Sequence, residues 1–227
     1  MKYSDFENIM SPERMGRYFT ACRSNSRKSM TLYRKNLELT QELFTIISCF
    51  EIALRNATDN HYKVIYGNDW LRNSALPAGM FNTPHCGKTP SIISFAVRKL
   101  GGNYSHSKLI AEMDFGFWRY MFARHQYYAG GQTLLRIFPS KPTSSALQHY
   151  DHNYVFAKLE ELNELRNRLA HHEPVVFRLG HAAIDTSYSR NKYALMMEFF
   201  KWMDIDETSL LYGLDHVVDI CDKIDSI

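Results

Sequence analysis

From Ser29 to Tyr66 the chain carries one continuous helical pattern, and no other feature of the sequence restricts its fold so strongly. Leu39, Leu43, Ile46, Ile47, Phe50 and Leu54 recur at spacings of three and four, which places them on one face of an α-helix. The pattern runs into Gly67-Asn68, a pair suited to ending a helix. A helix this long, apolar along one face, needs partners that cover that face.

Those partners are also helical. Ser11-Pro12-Glu13 supplies an N-cap, a first-turn proline and an early acid for a helix reaching about Cys22. Further helices are predicted from Pro90 to Leu100, where Gly101-Gly102 stop them, and from Ser107 to about His125, with a break near Asp114-Phe115-Gly116. The PSKPTSS segment from Pro139 to Ser145 is a breaker, and helices follow over Asp151–His172, Tyr188–Met203 and Thr208–Ile224. Val175-Val176-Phe177 is the single extended-looking stretch. Residues 70–90 are rich in Pro, Gly, Asn and Thr and read as a loop, mobile or functional. The expectation is one all-α domain over residues 1–227, a helical bundle with the long helix in its N-terminal half, a loop insertion at 70–90 and a C-terminal helix within 205–227. No solenoid-type repeat is present.

Composition excludes several classes. Hydrophobic residues make up 45% of the chain and aromatics 14%, enough for a buried core and too many for a disordered chain. No apolar run approaches the ~18 residues of a membrane span. The first residues, MKYSDFENIMSPERM, carry acids where a secretory peptide needs an apolar stretch, so no membrane association and cytoplasmic residence are expected. Cys22, Cys49, Cys86 and Cys221 form no CxxC pair, and neither a disulfide framework nor a cysteine metal site is predicted.

The net charge of +3 is small, but its distribution is uneven. Arg14, Arg17, Arg23, Arg27, Lys28, Arg34 and Lys35 follow one another without an intervening acid, with Tyr18, Phe19 and Tyr33 among them. Such a surface suits phosphate contact and base stacking, which makes Arg14, Arg17, Arg27, Lys28, Arg34 and Lys35 candidate RNA-binding residues. A solvated helix face is the other reading of the same run.

Leu-Arg-Asn occurs twice, at 54–56 with His61 downstream and at 165–167 with His171 and His172 downstream. At about 100° per residue, Arg55 and His61 diverge by about 120°, so His61 is assigned a structural role. Glu51, Arg55 and Asp59 share a polar edge where they can pair, and Glu51 and Arg55 could support a site. In the second segment Val155, Leu159, Leu162 and Leu169 define an apolar stripe, and Arg166 stands where that pattern calls for leucine. A guanidinium keeps its charge and, once desolvated, needs an anion or a carbonyl. Asn163, Asn167 and His171 form the adjacent edge, and Pro174 ends the helix close by. Imidazole titrates near neutrality and can move protons both ways, while arginine holds a phosphate and stabilises developing charge. RNA cleavage by attack of its own 2′-hydroxyl needs those two functions and no metal. One histidine per chain is few for acid and base, and two chains meeting along this helix would supply two. A buried structural arginine beside a helix-terminal histidine is the alternative on geometry alone. A metal held by His171, His172, Glu173 and His181 lacks HExxH or HxH spacing.

RNRLAH, Arg166 to His171, resembles the R-N-x3-H signature of the HEPN ribonuclease superfamily, and ELRNRLAHHEPVV resembles the C-terminal motif of its abortive-infection (Abi-like) branch. FEIALRN (Phe50 to Asn56) and EMDFGFWRYMF (Glu112 to Phe122) are similar to two further segments of that branch, in the same order, so the resemblance covers about residues 5 to 205. It implies an all-α HEPN fold, a homodimer and a metal-independent endoribonuclease that leaves a 2′,3′-cyclic phosphate, working without a cofactor as a toxin in phage defence, with an antitoxin protein or RNA as a further partner. It implies that Arg166 and His171 are catalytic, with Asn167 as their polar neighbour. His172 fits only a looser spacing, and Glu51, Arg55 and Asn56 match a family segment whose role the residues do not reveal. A non-catalytic RNA- or protein-binding module using the same groove is the competing expectation.

Overall fold

A computed structural model describes all residues, 1–227, as twelve α-helices and three short 3-10 turns with no sheet. The protein is therefore all-α. No helix is long and apolar enough to cross a membrane. The expected long helix is α3, Ser26–Tyr66, 41 residues that at 1.5 Å each extend roughly 60 Å. Leu39, Leu43, Ile46, Phe50 and Leu54 on its apolar face are wholly buried. Gly67 ends it with φ +86, a left-handed geometry that favours glycine.

Chain contacts divide the molecule into two compact units, and α3, α9 (His152–Ala170) and α10 (Ser187–Trp202) each contribute to both. The first unit comprises residues 1–48, 164–198 and 207–227. It holds α1 (Tyr3–Met10) and α2 (Pro12–Ala21), whose Ser11 cap accepts from the Arg14 amide as the sequence suggests. Tyr18 packs edge-on between Tyr33 and Phe177, with ring centroids 5.1 and 4.9 Å away. The expected extended stretch is present as one antiparallel bridge, Phe177 to Ile184. Side chains serve Val175 in place of a neighbouring strand. Asn36 Oδ1 accepts from its amide at 2.9 Å, and the Ser189 hydroxyl donates to its carbonyl at 2.7 Å. The expected single helix over Thr208–Ile224 is two, α11 (Glu207–Leu210) and α12 (Val217–Asp225), because Gly213 turns the chain at φ +73 between them.

The second unit comprises residues 49–163 and 199–206. Its core is aromatic. Phe50 touches Phe115, Phe199 and Phe200, and Trp202 packs on Phe138, Tyr150 and Tyr154. Residues 70–90 differ from the expected loop. They open with α4 (Trp70–Ser74), include a 3-10 turn at Pro84–Cys86, and bury Trp70, Leu71, Phe81 and Cys86. The prolines and glycines set turns between these anchors. At Gly79 a Cβ would overlap the Ser74 carbonyl, so the chain folds back there only without a side chain. Then follow α5 (Thr89–Leu100), α6 (His106–Ala111), α7 (Phe115–Tyr120) and α8 (Arg124–Ala129). The break expected at Asp114 is a helix start, where Asp114 Oδ1 accepts from the Phe117 amide at 2.8 Å.

Candidate functional site

The last two turns of α9 carry Arg166 and Asn167, and His171 is the first residue after its end. Leu159, Leu162, Leu165 and Leu169 are all buried, and Arg166 is half-buried. The apolar stripe thus passes through Leu165, and Arg166 lies at its margin. The sequence pattern puts Arg166 in the middle of the stripe, and the structure puts it at the edge. Between Leu162 and Leu169 both position 165 and position 166 satisfy the three-four spacing, and packing selects the leucine. Arg166 makes no hydrogen bond or ion pair within the chain, whereas the neighbouring Arg168 is fully engaged. Arg168 Nε donates to Glu173 Oε2 at 3.1 Å and Nη2 to the Pro174 carbonyl at 2.8 Å, and its guanidinium lies 4.4 Å from the centre of the Tyr188 ring. Of the two arginines in RNRLAH, the second holds the structure and the first is free.

The helix end sets the two histidines apart. The His171 amide still donates to Asn167 O at 2.9 Å, continuing the ladder. The His172 amide reaches Leu169 O at 3.1 Å and the Glu173 amide reaches Arg168 O at 2.9 Å, with His172 at φ +56. This is a Schellman terminus in which a histidine occupies the place that usually takes glycine. His171, His172 and Asn167 are all exposed. Arg166 and His171 are five positions apart, about 140° around the axis and about 7.5 Å along it, and no side-chain hydrogen bond joins them.

The basic run has partners that the sequence does not reveal. Arg17 donates through Nη2 to Arg178 O at 3.0 Å and His181 O at 2.7 Å, and through Nε to His181 O at 3.2 Å. Its guanidinium also lies 4.5 Å from the centre of the Phe177 ring. Arg14 Nη1 donates to the His172 carbonyl at 3.0 Å. These two residues clamp the segment that leaves the histidine pair. Arg34 lies over Phe6, Lys28 donates to the Ile227 carbonyl, and Lys35 pairs with Glu38. The Arg27 side chain is exposed and has no partner.

No protein family model, curated protein or solved structure matches this chain.

Glu51, Arg55 and Asn56 lie in the other unit. Arg55 Nε donates to Asn56 Oδ1 at 3.4 Å, and Asn56 is exposed. Asp59, one turn on, has other partners than Arg55. It is buried, accepting from Trp70 Nε1 at 2.8 Å and His106 Nε2 at 2.7 Å and pairing with Lys63 at 2.5 Å. Burial alone would raise its carboxyl, but the bonds from His106, Lys63 and Trp70 outweigh it and hold the carboxyl below the ordinary value. His61 takes the structural place expected of it, hydrogen-bonded to Thr133 Oγ1 at 2.9 Å, and burial, then Arg136, lowers its pKa. His171, His172, Glu173 and His181 do not converge, and no three His, Cys, Asp or Glu side chains are grouped to hold a metal ion. All four cysteines are free.

Proposed function

We propose that the chain is a metal-independent endoribonuclease of HEPN type whose site is assembled from two copies. One observation carries this reading: Arg166, half-buried at the margin of an apolar stripe, has no partner in its own chain, while exposed Asn167 and His171 follow it on the same two helical turns. A free guanidinium there is a ready seat for a phosphate. His171 of one copy takes the proton of the RNA 2′-hydroxyl, and the 2′-oxygen attacks the adjacent phosphorus. Arg166 offsets the charge that gathers on the phosphoryl oxygens. The bond to the 5′-oxygen breaks, and the second copy's imidazole returns a proton to that oxygen. The products are a 2′,3′-cyclic phosphate and a free 5′-hydroxyl. With Arg166 and His171 about 140° apart on one helix, a second copy is the simplest source of converging groups.

RNA approach falls to Arg27 and to the exposed faces of the other basic residues, since Arg14 and Arg17 already serve the loop. The resemblance of the three motifs extends the reading to a cytoplasmic, abortive-infection toxin with a restraining antitoxin. The test is incubation with total RNA in excess EDTA, followed by identification of the cleaved ends. Cyclic phosphate ends, lost in Arg166→Ala and in His171→Ala while fold and assembly persist, support it. Unchanged cleavage in both variants ends it. Salt-dependent RNA binding without turnover, indifferent to His171→Ala, identifies the chain instead as a binding module.

A further inference from the structure

The PHCGK segment and the FGFWRY block, neither used by the proposed chemistry, form two walls of one cavity in the second unit. Its volume is about 730 Å³, within the ~300–1,000 Å³ usual for small-molecule sites. Phe117, Tyr120, Ile92 and Met113 give it an apolar, partly aromatic wall. At its rim the rings of His85 and His125 stack with centroids 5.4 Å apart and planes 25° from parallel. Lys88, exposed and without a side-chain partner, stands beside them where α5 begins. The two acids at the rim are already engaged. Glu112 pairs with Lys99 at 2.5 Å, and Asp114 caps α7.

One buried polar group also belongs to this lining. Gln126 is only 6% exposed, and its amide nitrogen is fixed by the Cys86 carbonyl at 3.1 Å and Thr89 Oγ1 at 3.0 Å. Because a carbonyl can only accept, the amide orientation is determined, and the Gln126 oxygen receives no hydrogen bond from the protein. That oxygen is not enclosed and can accept an N–H or O–H from a ligand in the cavity. Flat apolar walls ask for a planar ring. Lys88, two imidazoles and the first turn of a 12-residue helix ask for an anion.

We propose that this cavity binds a nucleotide, with its base between the Phe117–Tyr120 wall and the Gln126 amide and its phosphate at Lys88, His85 and His125. The nucleotide is either free or the end of an RNA chain, and the binding chemistry is the same. The site does not depend on Arg166 or His171. The experiment is calorimetric titration of the full chain carrying Arg166→Ala, so that RNA stays intact, with AMP, CMP, adenosine and a short 5′-phosphorylated oligoribonucleotide. The expected result is saturable binding in which a mononucleotide exceeds its nucleoside by about 10-fold or more, and in which Lys88→Ala and His125→Ala each weaken it by a similar factor. Both positions are exposed, so these variants keep the fold, checked by circular dichroism. An oligonucleotide binding about 10-fold tighter than the mononucleotide, with that gain lost in Lys88→Ala, assigns the site to an RNA end; equal affinity, or a gain that Lys88→Ala leaves intact, assigns it to the free nucleotide. Failure of every ligand to saturate, or undiminished binding by both variants, overturns the proposal. Loss of RNA cleavage in Arg166→Ala alongside retained nucleotide binding keeps the two sites separate.

Discussion

Replacing Arg17 with alanine removes three hydrogen bonds to two loop carbonyls, at 2.7, 3.0 and 3.2 Å, together with the packing of a guanidinium on Phe177. The carbonyls of Arg178 and His181 face solvent, so water replaces part of what is lost, and each bond contributes about 0.5 kcal/mol net. The cation–ring contact adds about 0.5–1 kcal/mol. The sum is about 2 kcal/mol. For a chain of this length it corresponds to a fall in Tm of about 4–8 °C if the whole molecule melts together. The loss is also local, because the bonds tie α2 to the segment leaving the helix end that carries His171.

Two measurements check it. Hydrogen exchange should rise in residues 176–184, where Arg178 and Ala183 pair across the turn, while α5 to α8 keep their protection. The slope of RNA affinity against salt should be unchanged in Arg17→Ala, whose guanidinium is engaged by loop carbonyls, and reduced by about one in Arg27→Ala, whose side chain is free to meet a phosphate. Arg17→Lys keeps the charge but cannot bridge two carbonyls, and should recover less than half the stability. A Tm within about 1 °C of wild type and unaltered exchange in the turn would refute the clamp.

Other consequences concern single groups. Asp59 has a folded-state pKa below its unfolded value of ~3.9, so its stabilisation is complete above that pH and is lost as pH falls through the folded value. Asp59→Asn should cost about 2–3 kcal/mol at pH 7 and flatten the fall of urea stability below about pH 4. A steep wild-type acid slope that Asp59→Asn leaves intact would assign it elsewhere. His172→Gly should stabilise the chain by about 0.5–1 kcal/mol, because glycine carries no penalty at φ +56, and should leave cleavage intact. Lost cleavage in that variant would shift the catalytic role from His171 to His172. If two copies build one site, freely exchanging mixtures with His171→Ala should show activity falling as the square of the wild-type fraction. A linear fall would mean that one chain acts alone.

The regular parts of the fold are legible because a helix repeats its signal. α3, α5, α9 and α10 each bury a face over several turns, and their bounds lie close to those read from periodicity. Short elements repeat nothing. α6, α7 and α8 have six residues each, and only caps such as Ser105 and Asp114 mark where they begin. The 70–90 segment misleads through its composition, since Pro and Gly signal turns and say nothing of Trp70 or Phe81 pinned between them. The clamp was hidden for another reason. A basic run looks alike whether its partners are phosphates or carbonyls, and here the carbonyls lie 158 to 164 residues away.

Arg166 shows where sequence reasoning reaches its limit and what replaces it. Position 165 or 166 could complete the stripe, so an out-of-place charge was one reading of an ambiguous register. Packing settles the register on Leu165 and removes that argument, yet leaves Arg166 with a different peculiarity. Arg168, two residues on, spends its guanidinium on Glu173, the Pro174 carbonyl and Tyr188, as a structural arginine does. Arg166 spends its own on nothing in the chain. A half-buried guanidinium without a partner is less stable than a paired one, and a neutral residue at the same margin would avoid that cost. Arg166 is therefore distinguished by its lack of partners and not by its position in a pattern, and that lack points to an anion supplied from outside the chain.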